Sequence, residues 1–499
     1  MRKYYPVLLG IFTAALYAIW LAYPITIITA DIGRHLADGR IFFEYPQWRS
    51  ALLQTNFYST VASDFPIINH HWAAGLVYWI VQSIAGWKGL HIFQILLGFC
   101  SLGLFIDVAR RKSSLMTAIL VSLTILPLIA YRTEIRPEYM GYALFATILW
   151  TTDAVFTRQI AYKWLWALPV CMLVWVNVHA SFALGFGLIL LYTLQNTLTK
   201  TVPMRTMIAV MFSCLIAIII NPSGVAGALY PLSILKDPGY AVFENQSITF
   251  LSSIGASNWQ FVFLKIVTGV TAIGFGVLIK KHAVRDHLAL IIMSAATLLM
   301  AWLSVRHITI AAFILVPILS LAIYTVRKRY VTYGLVLCVM ISLFFQYKHL
   351  SSRWIVLGLE PTANDAADFV KEHDVHGPFF NNFDIGGYMI YHFFPEEKPF
   401  VYNRPESHPS DFWRNTYIPM MQDRSVWQQQ LATYQFNAIM LFHGDRTQWA
   451  QTFLKDTIND PLWAAVFVDR SVIIFVRRNE ESRQLIERYE IPTNRLIRS

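Results

Sequence analysis

The chain is organised by the length of its apolar runs. Eleven of them, 5–28, 88–108, 114–131, 138–156, 164–178, 182–199, 206–220, 259–279, 286–303, 307–325 and 331–347, read as helices that cross a bilayer. Between the first and second runs lies 29–87. Within it 70–85 has an apolar face and a polar face, and reads as a helix lying in the outer interface. After Phe345 the pattern changes. Charged segments alternate between helix-like stretches (361–373, 411–423, 425–434) and strand-like ones (379–381, 399–403, 438–442, 464–468, 472–477), with Asp469-Arg470-Ser471 as a hairpin turn. Gly386-Gly387 reads as a turn. The expected fold is an α-helical polytopic membrane protein of about 11 transmembrane helices with a C-terminal soluble α/β domain. The transmembrane domain spans 1–348, including the outer loop 29–87 and its interfacial helices, and the α/β domain spans 349–499.

Composition agrees with that pattern. Of 499 residues 56% are hydrophobic and 14% charged, where soluble proteins carry about 25% charge. A water-soluble enzyme, a disordered chain and a nucleic-acid module are therefore excluded for the whole chain. The formal charge of +10 is no sign of nucleic acid, because the basic residues cluster at alternate ends of the runs. The clusters are Arg2/Lys3, Arg110/Arg111/Lys112, Arg158/Lys163, Lys200/Arg205, Lys280/Lys281/Arg285 and Arg327/Lys328/Arg329. The positive-inside rule places all of them in the cytoplasm, with the N-terminus inside and the C-terminal domain outside. For this 70–85 must not cross, or Arg110, Arg111 and Lys112 would turn outward. The apolar run from Tyr4 to Ala30 is too long for a signal-peptide core and reads as a retained span. Cys100, Cys171, Cys214 and Cys338 all lie in apolar runs, so no disulfide framework or metal knuckle is expected.

The opposite loops hold the unusual polar residues: Asp31-Ile-Gly-Arg-His-Leu-Ala-Asp38, Asn69-His-His-Trp72, Arg132-Thr-Glu-Ile-Arg-Pro-Glu138, Asn177-Val-His179, Glu244 with Asn245-Gln-Ser247, and Arg306-His307. Asp31 directly follows the first run. A partly desolvated carboxylate there suits a general base, and equally suits a helix N-cap. Asp38, two helical turns on, reads as solvated. Arg34, Arg132, Arg136 and Arg306 serve either as phosphate clamps or as headgroup anchors. His35 lies beside Arg34. His70, His71, His179 and His307 lack metal-ligand spacing and read as hydrogen-bonding groups, so no metal or other cofactor is indicated. Trp72 is an interface anchor or a sugar-stacking platform, and Asn177 a turn residue or part of a polar pocket. The tail's Trp413, Tyr417, Trp427, Trp449 and Trp463 read mainly as core.

In order along the chain these segments resemble the GT-C class of membrane glycosyltransferases, and more closely bacterial GT-C-like proteins with a C-terminal extracytoplasmic domain. The likeness rests on the acid after the first span (Asp31), Asn69-His-His-Trp72, Arg136-Pro137, Trp175-Val-Asn-Val-His179, Asn221-Pro-Ser-Gly224, Arg306-His307 and Gly386-Gly-Tyr388. One departure is Tyr402-Asn403-Arg404, where relatives often carry Asp-Gly-Arg. The resemblance implies an inverting transferase in the bacterial plasma membrane that moves a sugar from a polyprenyl-phosphate donor to a glycan, lipid or protein acceptor at the outer face. Asp31 would be the base. Arg34, His35, Asn69, His70, His71, Trp72, Arg136, Glu138, Asn177, His179, Glu244, Arg306 and His307 would bind substrate. A lipid-linked glycan ligase or polymerase and a non-catalytic lipid-glycan transporter are the alternatives. A transporter should carry charges at mid-span, whereas here they sit mostly at span ends.

Overall fold

The computed structural model describes residues 4–233, 237–326 and 328–496. Arg2, Lys3 and Arg327 of the basic clusters lie outside the described residues. The helices in chain order begin with α1 (Tyr5–Leu21), α2 (Ile32–Glu44), α3 (Arg49–Gln54), α4 (Trp72–Lys112), α5 (Leu115–Ile129) and α6 (Glu138–Phe156). They continue with α7 (Leu168–Val178), α8 (Phe182–Thr199), α9 (Met204–Ile219), α10 (Gly224–Ser233), α11 (Ile248–Ser253) and α12 (Trp259–Lys280). Then come α13 (Val284–Leu303), α14 (Ile308–Val326), α15 (Arg329–Leu350), α16 (Asp365–Glu372) and α17 (Gly386–Phe393).

Every apolar run read from the sequence is helical. Among the described residues six helices are long and apolar enough to cross a membrane, or seven if α9 and α10, bent by 96°, form one broken span. Helices α1, α5 and α7 are apolar but shorter. The first run was expected to continue to 28, but α1 stops at Leu21. Pro24 follows, and a proline disfavours helical backbone in the residue before it. The expected interfacial helix at 70–85 is the first part of α4, which is interrupted at Gly86 (φ 64°, ψ −165°), a left-handed backbone that glycine adopts without steric cost.

The chain divides into two compact units. One comprises Met1–Pro24, Leu90–Pro231 and Ala241–Leu357; the other comprises Ile25–Gly89, Leu232–Tyr240 and Gly358–Ser499. The first unit is the helical one. Its centre is α14, buried over most of its length. Pro127 inside α5 removes the N–H that would serve the carbonyl of Leu123. Gln346 of α15 supplies the missing donor, with Nε2 to that oxygen at 3.3 Å, and its Oε1 accepts from Trp20 Nε1 at 2.9 Å.

The second unit is built on a four-stranded sheet, β1 (Phe379–Asn381), β2 (Ala438–Phe442), β3 (Trp463–Val468) and β4 (Val472–Arg477), in the order β1-β2-β4-β3. Strands β1 and β2 are parallel and the other pairs antiparallel. Asp469 Oδ1 accepts from the backbone N–H groups of Ser471 and Val472, both at 2.7 Å, which closes the expected hairpin turn. Trp413, Tyr417, Trp427 and Trp463 are buried in this unit. Two expectations are corrected here. Residues 399–403 form no strand, because the Asn381 side chain already serves their backbone: Oδ1 accepts from Phe400 N (2.8 Å) and Nδ2 donates to Val401 O (2.8 Å). Gly386-Gly387 is no turn either; it opens helix α17. A Cβ on Gly386 would lie 2.3 Å from the Tyr402 backbone, so the first turn of α17 seats against 401–402 only with glycine there.

Candidate functional sites in the two units

The sequence-derived candidates fall into two groups, one in each unit. In the helical unit the proline corner before α6 brings Arg132, Arg136 and Glu138 together. Glu244 is delivered by a short turn, Phe243–Asn245, held in place by Ser304 Oγ donating to Glu244 O (2.9 Å) and Val305 N donating to Gln246 O (3.1 Å). Arg306 follows on the same segment. The result is a buried ion network. Arg132 Nη1 donates to Glu244 Oε2 at 2.8 Å, and Arg136 Nη1 lies 3.0 Å from the same oxygen. Arg306 Nη2 donates to Glu138 Oε1 at 3.3 Å, while Arg132 Nη2 lies 3.4 Å from that oxygen. Arg136 also holds Glu134 at 2.6 Å. Burial would raise the Glu244 carboxyl, but Arg132, Arg136 and Arg306 outweigh it and hold it at about 2.

His179 joins this network from the turn between α7 and α8. Trp175 fixes that turn: Gly141 and Gly185 leave room for its indole, and Nε1 donates to Ser181 Oγ at 3.2 Å. The backbone N–H of Ser181 donates to His179 Nδ1 at 3.0 Å. Nδ1 is therefore an acceptor, and the proton of the neutral ring sits on Nε2, 4.0 Å from Glu138 Oε2. Burial lowers the His179 pKa to about 4, despite the attraction of Glu138, with Arg306 and Arg132 adding to the depression. His307 Nδ1 is buried without a hydrogen-bond partner. Asn177 instead ties α7 to the end of α9, donating to Leu173 O (2.9 Å) and Ile220 O (3.0 Å).

In the second unit Arg34 and Asn69 reach Asp38, while His35, His71 and His70 form a chain of ring contacts. The sequence read Asp38 as solvated; it is 1% exposed. Its Oδ1 accepts from Tyr58 OH (2.8 Å), its Oδ2 accepts from Asn69 Nδ2 (3.3 Å), and Arg34 Nη1 lies 3.7 Å away. Burial raises its pKa, against Arg34 and these hydrogen bonds. Two helical turns from Asp31 places it on the face that α2 buries. The rings of His35 and His71 meet edge to face at 5.2 Å, and Trp72 lies 5.7 Å from Phe42. Arg404 of the departing Tyr-Asn-Arg segment is buried, donating from Nη2 to Ile68 O (2.5 Å) and from Nε to Glu406 Oε1 (3.0 Å).

Asp31 occupies the N-cap position of α2 without a side-chain capping hydrogen bond. Its surroundings include two acids that sequence reasoning missed. Asp384 lies in the short turn Phe383–Ile385 that leads into α17. Asp445 is committed locally, accepting from Thr447 N (2.9 Å) and Thr447 Oγ1 (2.8 Å) at Oδ1 and from Asn382 Nδ2 (3.2 Å) at Oδ2. Burial first, then the charges of Asp445 and Asp31, push the Asp384 carboxyl up to about 7. Tyr240 walls this group, its ring 4.4 Å from Phe383 and 5.0 Å from Trp413. The available signal was an acid two residues before a helix-opening Gly-Gly pair. Chemically, the arrangement sets one carboxyl poised near neutrality beside another at a helix head, a pattern suited to proton transfer. Among the described residues no group of three or more His, Cys, Asp or Glu side chains is placed to hold a metal ion.

The apolar helices fit a multi-pass membrane protein, and the fold, with its small C-terminal sheet, is the one shared by two solved glycosyltransferases of the GT-C class. The chain is similar to the apo oligosaccharyltransferase of Archaeoglobus fulgidus, with a TM-score of 0.60 at 10% identity over 88% of this chain and 70% of that one. The same enzyme tethered to an acceptor peptide gives 0.59 at 10% identity, over 96% and 74%. Apo ArnT of Cupriavidus metallidurans gives 0.50 at 13% identity, over 95% and 98%. At these identities the likeness establishes the fold. No protein-family model and no curated protein matches the sequence.

Proposed function

We propose that the protein is an integral-membrane glycosyltransferase that moves a sugar from a polyprenyl-phosphate-linked donor to an acceptor at the extracytoplasmic face, with inversion and with Asp31 as general base. The observation that carries this reading is an acid at the head of α2, within electrostatic reach of a near-neutral carboxyl, in a chain of the GT-C fold. An acceptor hydroxyl ionises far above pH 7, so a positioned carboxylate contributes about 10²–10⁴-fold by taking its proton during attack. The acceptor oxygen bonds to the anomeric carbon and the lipid phosphate leaves with the electron pair, which inverts the centre. Asp384, pushed up to about 7, is only partly ionised at neutral pH, which limits the build-up of a second negative charge near Asp31.

The donor phosphate is an anion for which Arg136 and Arg306 are candidates. Each is anchored by glutamate, yet a guanidinium has five N–H donors and retains capacity for phosphate oxygens. The basic clusters support a cytoplasmic N-terminus and an extracytoplasmic tail. Glycan, lipid and protein hydroxyls or amides are all acceptor classes to screen.

The test is a transfer assay with purified protein and a panel of polyprenyl-phosphate sugars. Asp31→Asn should fold and lose at least a hundredfold in kcat. Full activity in that variant overturns the base assignment. A wild-type protein inert with every donor overturns the transferase.

A further inference from the structure

Helix α6 carries buried acids at both ends. Glu138 opens it and belongs to the arginine network. Asp153 lies about 22 Å further along the axis, at the end of the helical unit where the basic clusters gather. There a cavity of about 320 Å³ opens between helices, its charged and titratable lining being Lys112, Arg158, Arg285 and His287 against Asp153 and the exposed Asp286, with Tyr192. That volume lies at the lower end of the range for small-ligand pockets and is about ten times the share of one water.

The cavity is built. Helix α13 is broken at His287 (φ −128°, ψ 18°). Gln195 of α8, 3% exposed, fastens the break: Nε2 donates to Asp286 O and Oε1 accepts from Ala289 N, both at 2.9 Å. The break leaves His287 lining the cavity, with Nδ1 buried and unpartnered. On the floor Lys112 Nζ is 2.5 Å from Asp153 Oδ1, so that pair is neutral. Asp153 Oδ2 is buried with no hydrogen bond of normal length; Arg111 Nη1 lies 3.7 Å from it, and the Tyr192 hydroxyl faces the same carboxylate. At the mouth Arg158 and Arg285 are exposed, and among the described residues no carboxylate lies within ion-pair distance of either. Arg158 takes the left-handed conformation (φ 57°) just past the end of α6, a place that glycine usually fills.

The charges at the mouth and the orphaned groups on the floor ask for different things. Two exposed guanidiniums without a carboxylate partner, Arg285 giving one of its five donors to the Leu198 carbonyl, suit a phosphate. An orphan carboxylate oxygen needs a donor, and an orphan imidazole nitrogen can give or accept a hydrogen bond; both suit hydroxyl groups. We propose that this cavity binds a phosphate ester bearing hydroxyl groups, such as a phosphatidylglycerol headgroup from the adjoining leaflet or a soluble polyol phosphate. Basic pockets between membrane helices take anionic headgroups by the same physics. The site is separate from Asp31 and from the arginine network, and holds whatever the chemistry at those residues proves to be.

The experiment uses the full-length protein in phosphatidylcholine nanodiscs and measures saturable binding of two probes, phosphatidylglycerol and soluble glycerol 1-phosphate. The comparison is Arg158→Gln with Arg285→Gln, both exposed, and separately His287→Ala, with thermal unfolding confirming that each variant keeps its fold, since Arg285 also donates to Leu198 O. The expected result is saturable binding of one probe, weakened at least tenfold by the double arginine variant and measurably by the histidine variant. Binding of the lipid alone assigns the leaflet as source, and binding of the soluble ester alone assigns the aqueous phase. Absence of saturable binding by both, or binding unchanged in the double variant, overturns the site and leaves a cavity that holds water only.

Discussion

Gly33 of α2 faces the carbonyl of Gly387 in α17 so closely that a methyl group on Gly33 would lie 2.7 Å from that oxygen. Asp31 is two residues before the first glycine and Asp384 three before the second. The helix contact therefore brings the two acids within electrostatic reach of each other at neighbouring helix starts.

Gly33→Ala should force α2 and α17 apart. Because the obstacle is backbone, the expected cost is about 1–3 kcal/mol, read as a lower Tm, together with a loss of transfer activity larger than the lost stability explains.

Asp384 gives a stability signature with a definite sign. Its folded pKa, about 7, lies above the ordinary aspartate value of 3.8. The folded state thus binds more protons than the unfolded state between those values. Its contribution is fully present below about pH 4 and is lost as pH rises through about 7. Asp384→Asn should remove that part of the slope in denaturant titrations run across this window. A slope identical to wild type would contradict the raised pKa.

Glu244 neutralises Arg132 and Arg136, which are 11% and 13% exposed. Glu244→Gln leaves two buried guanidiniums short of a counter-charge, with an expected loss of about 3–5 kcal/mol in thermal unfolding. Its pKa of about 2 lies below the ordinary glutamate value of 4.5, so the wild-type contribution is present above about pH 4.5 and disappears as pH falls through about 2.

Asn381→Ala would leave the Phe400 N–H and the Val401 carbonyl without their buried partner. A cost of about 2–3 kcal/mol is expected in chemical denaturation of the whole protein. Asn381→Asp should recover only part of it, since a carboxylate can accept from Phe400 but cannot donate to Val401.

The helical part of the fold was legible because a bilayer demands long apolar segments, and each such run is a helix here. Strands 379–381, 438–442 and 472–477 were legible for the same local reason, a short apolar run with turn residues at its ends. Residues 399–403 share that pattern but form no strand, because a distant amide, Asn381, serves their backbone. The clustering of Arg136, Glu138, His179, Glu244 and Arg306 was expected in kind. That Glu244 pairs with Arg132 and Arg136, and Glu138 with Arg306, was not, since these pairs join residues more than a hundred positions apart.

By itself the sequence determined that the chain enters a membrane, which residues lie in apolar helices, and which loops hold the uncommon polar side chains, because lipid solvation and charge act on each segment independently. Only tertiary structure decided the environment of each acid. It buried Asp38, committed Asp445 to Thr447, and raised Asp384 beside Asp31, because desolvation and Coulomb forces depend on neighbours that distant segments bring together.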